Sequence, residues 1–307
     1  MAYPTVVGFP NHSGSYIPRL YSAKLLVEFY KSSVFGDIAT TEYEGQISTM
    51  GDTLRIRTLP DIAINNYVKG QKLKYETPEG GYLDLLIDKG KYWAVSYNEL
   101  DKKQIDIGYV QKWAEHAGST MKVSIDADVL QNTYSDADAA NQGITAGAES
   151  GNIDLGVTTD PVGLLSTNII ENIVNCGVVL DEQNIPDENR WMVLPAWAIG
   201  LLKNSDIKDA SLTGDGKSAL RNGRVGMIDR FTIYMSNNLK TVTDTVKCTN
   251  CMFGHKAALA FASQMTAQET IDNPDDFGKL IRALQAYGYK VVKPEAMGLL
   301  YATKASA

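Results

Sequence analysis

Between Gly45 and Val95 the chain alternates apolar and charged residues with a period of two, and this limits its fold more than any other feature. Thr53-Leu54-Arg55-Ile56-Arg57 alternates cleanly, as do Gln71-Lys72-Leu73-Lys74-Tyr75 and Tyr82-Leu83-Asp84-Leu85-Leu86-Ile87. Successive side chains of a strand point to opposite faces, so each run has one wet face and one apolar face. Turn signals at Leu59-Pro60-Asp61, Thr77-Pro78-Glu79-Gly80-Gly81 and Asp88-Lys89-Gly90 separate the runs. The expectation is a meander of hairpins. Such an element cannot make a stable core alone and must lie on the rest of this chain or on another one. Aromatic content favours another chain. Tyr67, Tyr75, Tyr82, Tyr92 and Tyr97 concentrate here beside Trp93, out of 16 tyrosines in all. Tyr and Trp bury large areas at low entropic cost and keep a polar tip, as interfaces require. Tyr67, Tyr75, Tyr82, Tyr92 and Trp93 are the candidate inter-subunit contacts. The alternative is that they cover this chain's own sheet.

The segment Met1 to Gln46 reads as an arm. Pro18 suits a helix start, and Leu25, Leu26, Phe29 and Tyr30 give one apolar face before Gly36. That helix docks on its own domain or on a neighbour. After the hairpins, Ser96 and Glu99 form a capping box that opens a long helix. Trp113, Ala117, Met121, Ile125 and Val129 recur every fourth residue, so the helix is expected to run from Asn98 to Asn132 through Gly118. At ~1.5 Å per residue it would span roughly 50 Å. The Ala-, Gly- and Asp-rich stretch from Ser135 to Gly156 reads as a loop.

The remainder reads as compact α/β. A helix carrying Leu165, Ile169, Ile170, Ile173, Val174 and Val178 runs towards Leu180, before Pro186. Trp191-Met192-Val193-Leu194 reads as a buried strand, and Pro195 opens a helix from Ala196 to Lys203. Further strands are expected at Phe231–Met235, Lys256–Phe261 and Tyr289–Val292, with a second helix over Phe277–Ala286. No repeat of fixed period is present.

The formal net charge of -7, without any Lys/Arg-rich run, argues against a groove gripping a nucleic-acid backbone. An acidic chain can still line a container for DNA, since weak repulsion keeps the packed polymer mobile. No apolar run is long enough for a membrane span, and Met1 to Pro10 shows no secretory pattern. The starting methionine suggests an unprocessed N-terminus. Cys176, Cys248 and Cys251 are too few for a disulfide framework and fit synthesis in a reducing cytoplasm.

Chemistry-bearing patterns are weak. Gly214-Asp215-Gly216-Lys217-Ser218 falls short of a phosphate-cradling loop, because Ser211 stands where the motif needs its first glycine. A solvated surface loop is the better reading. Cys248-Thr249-Asn250-Cys251 with His255 has half of a zinc site, but tetrahedral zinc is left a ligand short, with Asp244 the available fourth. His12 lies in the arm, His116 on the polar side of the long helix, and His255 at the start of a strand. Asp126/Asp128, Asp136/Asp138 and Asp275/Asp276 read as caps and solvated turns. No catalytic residue, cofactor site or metal site is expected.

Several segments together resemble tailed-phage major capsid proteins of the Hong Kong 97-type fold, with the coat proteins of short-tailed phages among them. These are Leu180-Asp181-Glu182-Gln183-Asn184-Ile185-Pro186, Arg190-Trp191-Met192-Val193-Leu194-Pro195, Leu220-Arg221-Asn222-Gly223 and Gly226-Met227-Ile228. Phe231 through Leu239, Gly254-His255-Lys256-Ala257-Ala258 and Tyr287-Gly288-Tyr289-Lys290-Val291 continue the series, and Gly51-Asp52-Thr53-Leu54 with Tyr67 and Gly70 extends it towards the N-terminus. Arg230 departs from the pattern, since the family often has Gly before the Phe. The stretch from Leu202 to Gly223 leaves no room for an inserted domain, and no N-terminal coiled coil suggests a fused scaffold.

The resemblance implies an α+β fold in five parts. These are an N-terminal arm (1–44), an extended hairpin loop (45–97), a spine helix with part of a peripheral domain (98–160), an axial domain with its adjoining helix (161–263), and a return to the peripheral domain (264–307). It implies a non-enzymatic shell subunit that assembles in the host cytoplasm as hexamers and pentamers. Those would enclose double-stranded DNA without sequence-specific binding and form the virion head. Portal and scaffolding proteins, and a decoration protein, are the implied partners. An encapsulin-like compartment and a nucleotide- or metal-dependent enzyme are the rival readings.

Overall fold

The computed structural model describes residues 33–42, 53–58, 60, 62–98, 109–205, 226–243, 246–274 and 277–305. The arm helix expected around Pro18 to Tyr30, Glu99 of the capping box, and the Gly214 loop lie outside the described residues.

The centre of the molecule is a seven-stranded sheet. It contains β4 (Val162–Leu164), β5 (Arg190–Leu194), β6 (Met227–Ile228), β7 (Phe231–Met235), β8 (Thr241–Thr243), β9 (Lys247–His255) and β12 (Met297–Lys304). Strand order is β4-β12-β9-β5-β7-β6, with β8 beside β9. β5 is paired on both edges, parallel to β7 and antiparallel to β9, and every one of its residues is buried. That position explains why Trp191 to Leu194 carries no polar residue: both faces are covered. On one face Met192 and Leu194 pack with Ile173, Val179 and Leu180 of α3 (Ile169–Glu182) and with Ala198 and Leu202 of α4 (Ala196–Lys203). On the other, Trp191 and Val193 meet Ile125, Val129 and Leu130 of the long helix α2 (Tyr109–Asn132). The short helix α1 (Phe35–Ile38), which contains Gly36, adds Ile38 to this second cluster.

A second, three-stranded sheet has the order β10-β11-β3, formed by β10 (Leu259–Asp272), β11 (Gly278–Val291) and β3 (Lys89–Asn98). A hairpin of β1 (Thr53–Arg57) and β2 (Tyr82–Leu86) pairs Leu54 with Leu85 and Ile56 with Leu83. Its buried Leu85, with Ile87 just beyond β2, packs on Ala260 and Ala262.

Several expectations are corrected. The stretch from Gly45 to Val95 is not one meander, because β3 leaves β2 and pairs along β11, from Gly278↔Asn98 to Tyr287↔Lys89. Ser96 therefore lies in a strand opposite Leu280 and caps no helix. The helix is continuous through Gly118 as expected, and its described part begins at Tyr109. Gln71–Tyr75 alternates like a strand yet belongs to none. Phe277–Ala286 is not helical. Leu280, Leu284 and Tyr287 mimic a helical stripe, but β11 is flanked by β10 and β3, and those two ladders decide its backbone. Lys256–Ala258 is a turn between β9 and β10, so His255 ends a strand and does not begin one. The stretch from Ser135 to Gly156 is a packed connection in which Asn141, Ala146 and Leu155 are buried. The 264–307 segment divides between the sheets: β11 lies in the three-stranded one, and β12 between β4 and β9 in the other.

Candidate assembly interface

The β1–β2 hairpin is seated by a glycine. A Cβ on Gly288 of β11 would stand 2.0 Å from the Leu86 carbonyl oxygen, so only the missing side chain lets the hairpin lie this close to the sheet. Lys290 Nζ donates to the Asp84 carbonyl at 3.0 Å, and Arg55 grips the Asp84 carboxylate at 2.8 Å while stacking 4.0 Å above the Tyr82 ring. This root is fixed. Beyond it, residues 62–80 are exposed without exception.

Four of the five candidate contacts are exposed. Tyr67 is 71% exposed, Tyr75 90%, Tyr82 63% and Tyr92 78%. Trp93 differs, because it alternates to the other face of β3 and is half-buried opposite Ala283. Leu284, the partner of Tyr92 across β3 and β11, is also exposed and extends the apolar strip on the outer face.

Behind this surface lie three polar joints that sequence reasoning missed. At the first, the wholly buried Asp126 of α2 accepts from the backbone N–H groups of Val34 (2.7 Å) and Phe35 (2.9 Å) and from Asn238 Nδ2 (2.6 Å). The Ser236 hydroxyl lies 3.5 Å away. One carboxylate thus ties α2 to α1 and to the loop after β7. At the second, Asp128 accepts from the Tyr287 hydroxyl at 2.9 Å, while its backbone carbonyl accepts from Tyr289 at 3.1 Å. Lys89 donates to the Tyr289 hydroxyl at 2.8 Å. Burial pulls Lys89 down, but Tyr289 and Asp128 outweigh it and hold its pKa above the ordinary lysine range. Burial first, then the bond to Asp128, raises the pKa of Tyr287. The expected caps and solvated turns are therefore wrong for this pair of aspartates. Asp138 does cap, accepting from Ala140 N at 2.8 Å.

The third joint is an arginine pair. Arg190, buried at the start of β5, places its guanidinium 2.7 Å from Asp181 and donates to the carbonyls of Pro186, Ile185 and Gly177. Arg230 reaches the same Asp181 at 2.7 Å and Asp187 at 2.9 Å. Burial raises the Asp181 pKa, but the two guanidiniums overcome this and hold it below the usual carboxylate range. Arg230 and Asp229 form the two-residue turn joining β6 to β7, with φ of 66° and 42°. Both lie in the left-handed region, which accounts for the glycine often found at position 230 in the family that this sequence resembles.

The cysteine pair is pulled apart. Cys248 and Cys251 sit three apart on β9, so they project to opposite faces of the sheet. Cys251 joins the cluster holding Cys176, and burial pushes its pKa up to about 12. His255 Nδ1 accepts from Ala257 N at 3.1 Å. No three His, Cys, Asp or Glu side chains are grouped to hold a metal ion among the described residues.

Solved phage structures share this arrangement of the chain. A structure from Mycobacterium phage Che8 aligns with a TM-score of 0.71 at 26% identity, covering 93% of this chain and 97% of that one. The capsid of the cyanophage P-SCSP1u aligns with a TM-score of 0.70 at 15% identity, covering 99% and 100%. That of Ralstonia phage GP4 gives 0.65 at 14%, covering 99% of each chain. No curated protein sequence matches. The fold is the Hong Kong 97-type fold of tailed-phage shells. The phage capsid protein family matches residues 84–302, and the chain belongs to it. It is a major capsid protein, a structural subunit that assembles into the multimeric head of the virion.

Proposed function

We propose that the subunit builds its shell by laying the loop of residues 45–97 across adjacent subunits, with Tyr67, Tyr75, Tyr82 and Tyr92 as contacts. The exposure of the loop carries this reading. Residues 62–80 are all exposed, although they include Ile62, Ile64, Tyr67, Val68, Leu73 and Tyr75. Apolar residues left in water along one extended segment favour burial against another molecule. Trp93, facing inward from β3, serves the subunit's own packing.

On this reading the arm spans 1–44, the loop 45–97, the spine helix and part of the peripheral domain 98–160, and the axial domain 161–263. The segment 264–307 returns to the peripheral domain. Subunits gather as hexamers and pentamers in the host cytoplasm with scaffolding and portal proteins, and a decoration protein can join the outside. The shell encloses double-stranded DNA without reading its sequence, which the net charge of -7 suits. It performs no catalysis. Many small contacts per subunit keep assembly reversible until closure. Electron microscopy of the expressed protein tests this reading: closed shells of hexamers and pentamers, with density for residues 62–80 on a neighbouring subunit, are expected. Shells in which that loop folds back on its own sheet would refute the contact assignment.

A further inference from the structure

The chain passes between its two sheets by two short crossings. Residues 256–258 join β9 to β10, and residues 292–296 join β11 to β12. The crossings lie side by side. The Ala258 carbonyl accepts from the N–H groups of Val292 (2.7 Å) and Lys293 (3.3 Å), so the first crossing is tied to the second. Lys256 N donates to the Asn189 carbonyl at 3.1 Å, which ties the first crossing to the entry of β5 as well. A change in the angle between the sheets bends the chain here.

One titratable side chain holds the first crossing. His255, the last residue of β9, pairs with Arg190 of β5, and its carbonyl accepts from Ala258 N at 2.9 Å to close the turn. Its Nδ1 accepts from Ala257 N at 3.1 Å. The ring is therefore neutral with its proton on Nε2, because an imidazolium has two donors and no acceptor. A proton added to Nδ1 would meet the Ala257 N–H head on, and the turn would lose the acceptor inside it.

We propose that His255 is a proton-operated latch on the hinge between the two sheets: the neutral ring closes the turn of residues 256–258, and the imidazolium opens it. The groups around the ring set its working range. Burial opposes the charge most, and Arg190 of β5 opposes it next; the Glu188 backbone, bonded to the ring, favours it, and Lys293 of the second crossing opposes it. Arg190 is itself paired with Asp181 and Asp187. The balance keeps the ring neutral until the pH is below 6.5, so the latch opens in acid. It is a property of the single subunit, and its test does not depend on assembly.

Hydrogen exchange of the free full-length subunit between pH 8 and pH 5, corrected for the intrinsic pH dependence of exchange, tests the latch. Protection at the amides of Ala257, Val292 and Lys293 should begin to fall near pH 6.5 and drop by up to ~30-fold at pH 5, while β5 keeps its own. The fall should level off where the ring nitrogen shifts show His255 titrating, and at pH 8 those shifts should show the proton on Nε2. Lys293→Gln, at an exposed site, should raise the titration and the levelling pH together. His255→Gln should remove the pH dependence at all three amides. A ring carrying its proton on Nδ1 at pH 8 would overturn the latch, as would equal protection at pH 8 and pH 5, or His255→Gln crossings that still open in acid. Protection lost from β5 at the same pH would mean acid unfolding of the whole subunit, and would overturn it too. Should His255→Gln fail to fold, the ring tautomer and the Lys293→Gln shift decide.

Discussion

Replacing Arg230 separates two effects that oppose each other at the β6–β7 turn. The backbone there holds Asp229 and Arg230 at φ of 42° and 66°, where a side chain costs roughly 1–2 kcal/mol relative to glycine. Against this, the guanidinium bonds Asp181 at 2.7 Å and Asp187 at 2.9 Å. Arg230 is 38% exposed, so solvent screening limits each ion pair to about 0.2–1 kcal/mol. In Arg230→Gly the strain relief and the lost pairs nearly cancel, and stability should stay within ~1 kcal/mol of the parent. In Arg230→Ala the pairs are lost and the strain remains, so the loss should be about 1–2 kcal/mol. The gap between the two variants is the strain itself. Urea unfolding of unassembled subunits, followed by the fluorescence of buried Trp191, measures it. Equal midpoints for the Ala and Gly variants would show that the turn stores no strain and that the argument is wrong.

Gly288→Ala places a Cβ 2.0 Å from the Leu86 carbonyl oxygen, so the hairpin must lift, and hydrogen exchange at residues 83–87 should accelerate. Unchanged exchange there would mean that the hairpin is not seated on β11. Asp126→Ala leaves donors on Val34, Phe35 and Asn238 without an acceptor and, at about 1–3 kcal/mol for each buried one, should cost at least ~2 kcal/mol in urea unfolding. A loss below ~1 kcal/mol would count against Asp126 as a joint. Burial, then the nearby Arg190, lowers the His255 pKa beneath 6.5. Its folded value lies below its unfolded one, so its contribution is complete above about pH 6.5 and is lost as pH falls towards the depressed value. His255→Gln should flatten the stability profile in that window, and an unchanged slope would refute the assignment. Asp181 follows the same sign lower down, with its contribution lost as pH falls below about 3.8.

The elements that the sequence made legible are those whose own pattern decides their backbone. β5 is an uninterrupted apolar run and is buried throughout, and α4 occupies the Ala196–Lys203 span read behind Pro195. Failures came where a distant ladder decides. β11 looks helical over Phe277–Ala286 until β10 and β3 lie on either side of it. β3 reads as the last run of a meander, although its partner is almost 200 residues away in sequence, as at Lys89↔Tyr287. Gln71–Tyr75 failed for a related reason: its alternation is genuine, but among the described residues no strand pairs with it. Of the candidate contacts, Tyr67, Tyr75, Tyr82 and Tyr92 are exposed, whereas Trp93, one residue on from Tyr92, alternates to the other face of β3 and is half-buried. Asp126 could have been found. A carboxylate beside Ile125 and before Val129, in the interior of a predicted helix, has no turn to cap.

Asp126 and Asp128 also show how one helix holds two sheets. Residues two apart on a helix point about 200° from one another, so each aspartate addresses a different body. Asp126 turns to α1 and to the Ser236–Asn238 loop that follows β7 of the seven-stranded sheet. Asp128 turns to Tyr287 and Tyr289 of the three-stranded sheet. The apolar contacts of Ile125, Val129 and Leu130 in the same stretch bind the helix but would tolerate sliding, because dispersion and the hydrophobic effect are weakly directional. Hydrogen bonds with one acceptor and several converging donors tolerate far less. A subunit that must repeat around a closed shell needs the angle between its two sheets held constant, and this pair of carboxylates supplies that constraint. The hairpin root has its own fixings, in Gly288, Lys290 and Arg55, all at the sheet end of the loop. Rigidity therefore stops at about Tyr82. On the proposed reading, the exposed residues 62–80 take their conformation from the surface that the next subunit presents.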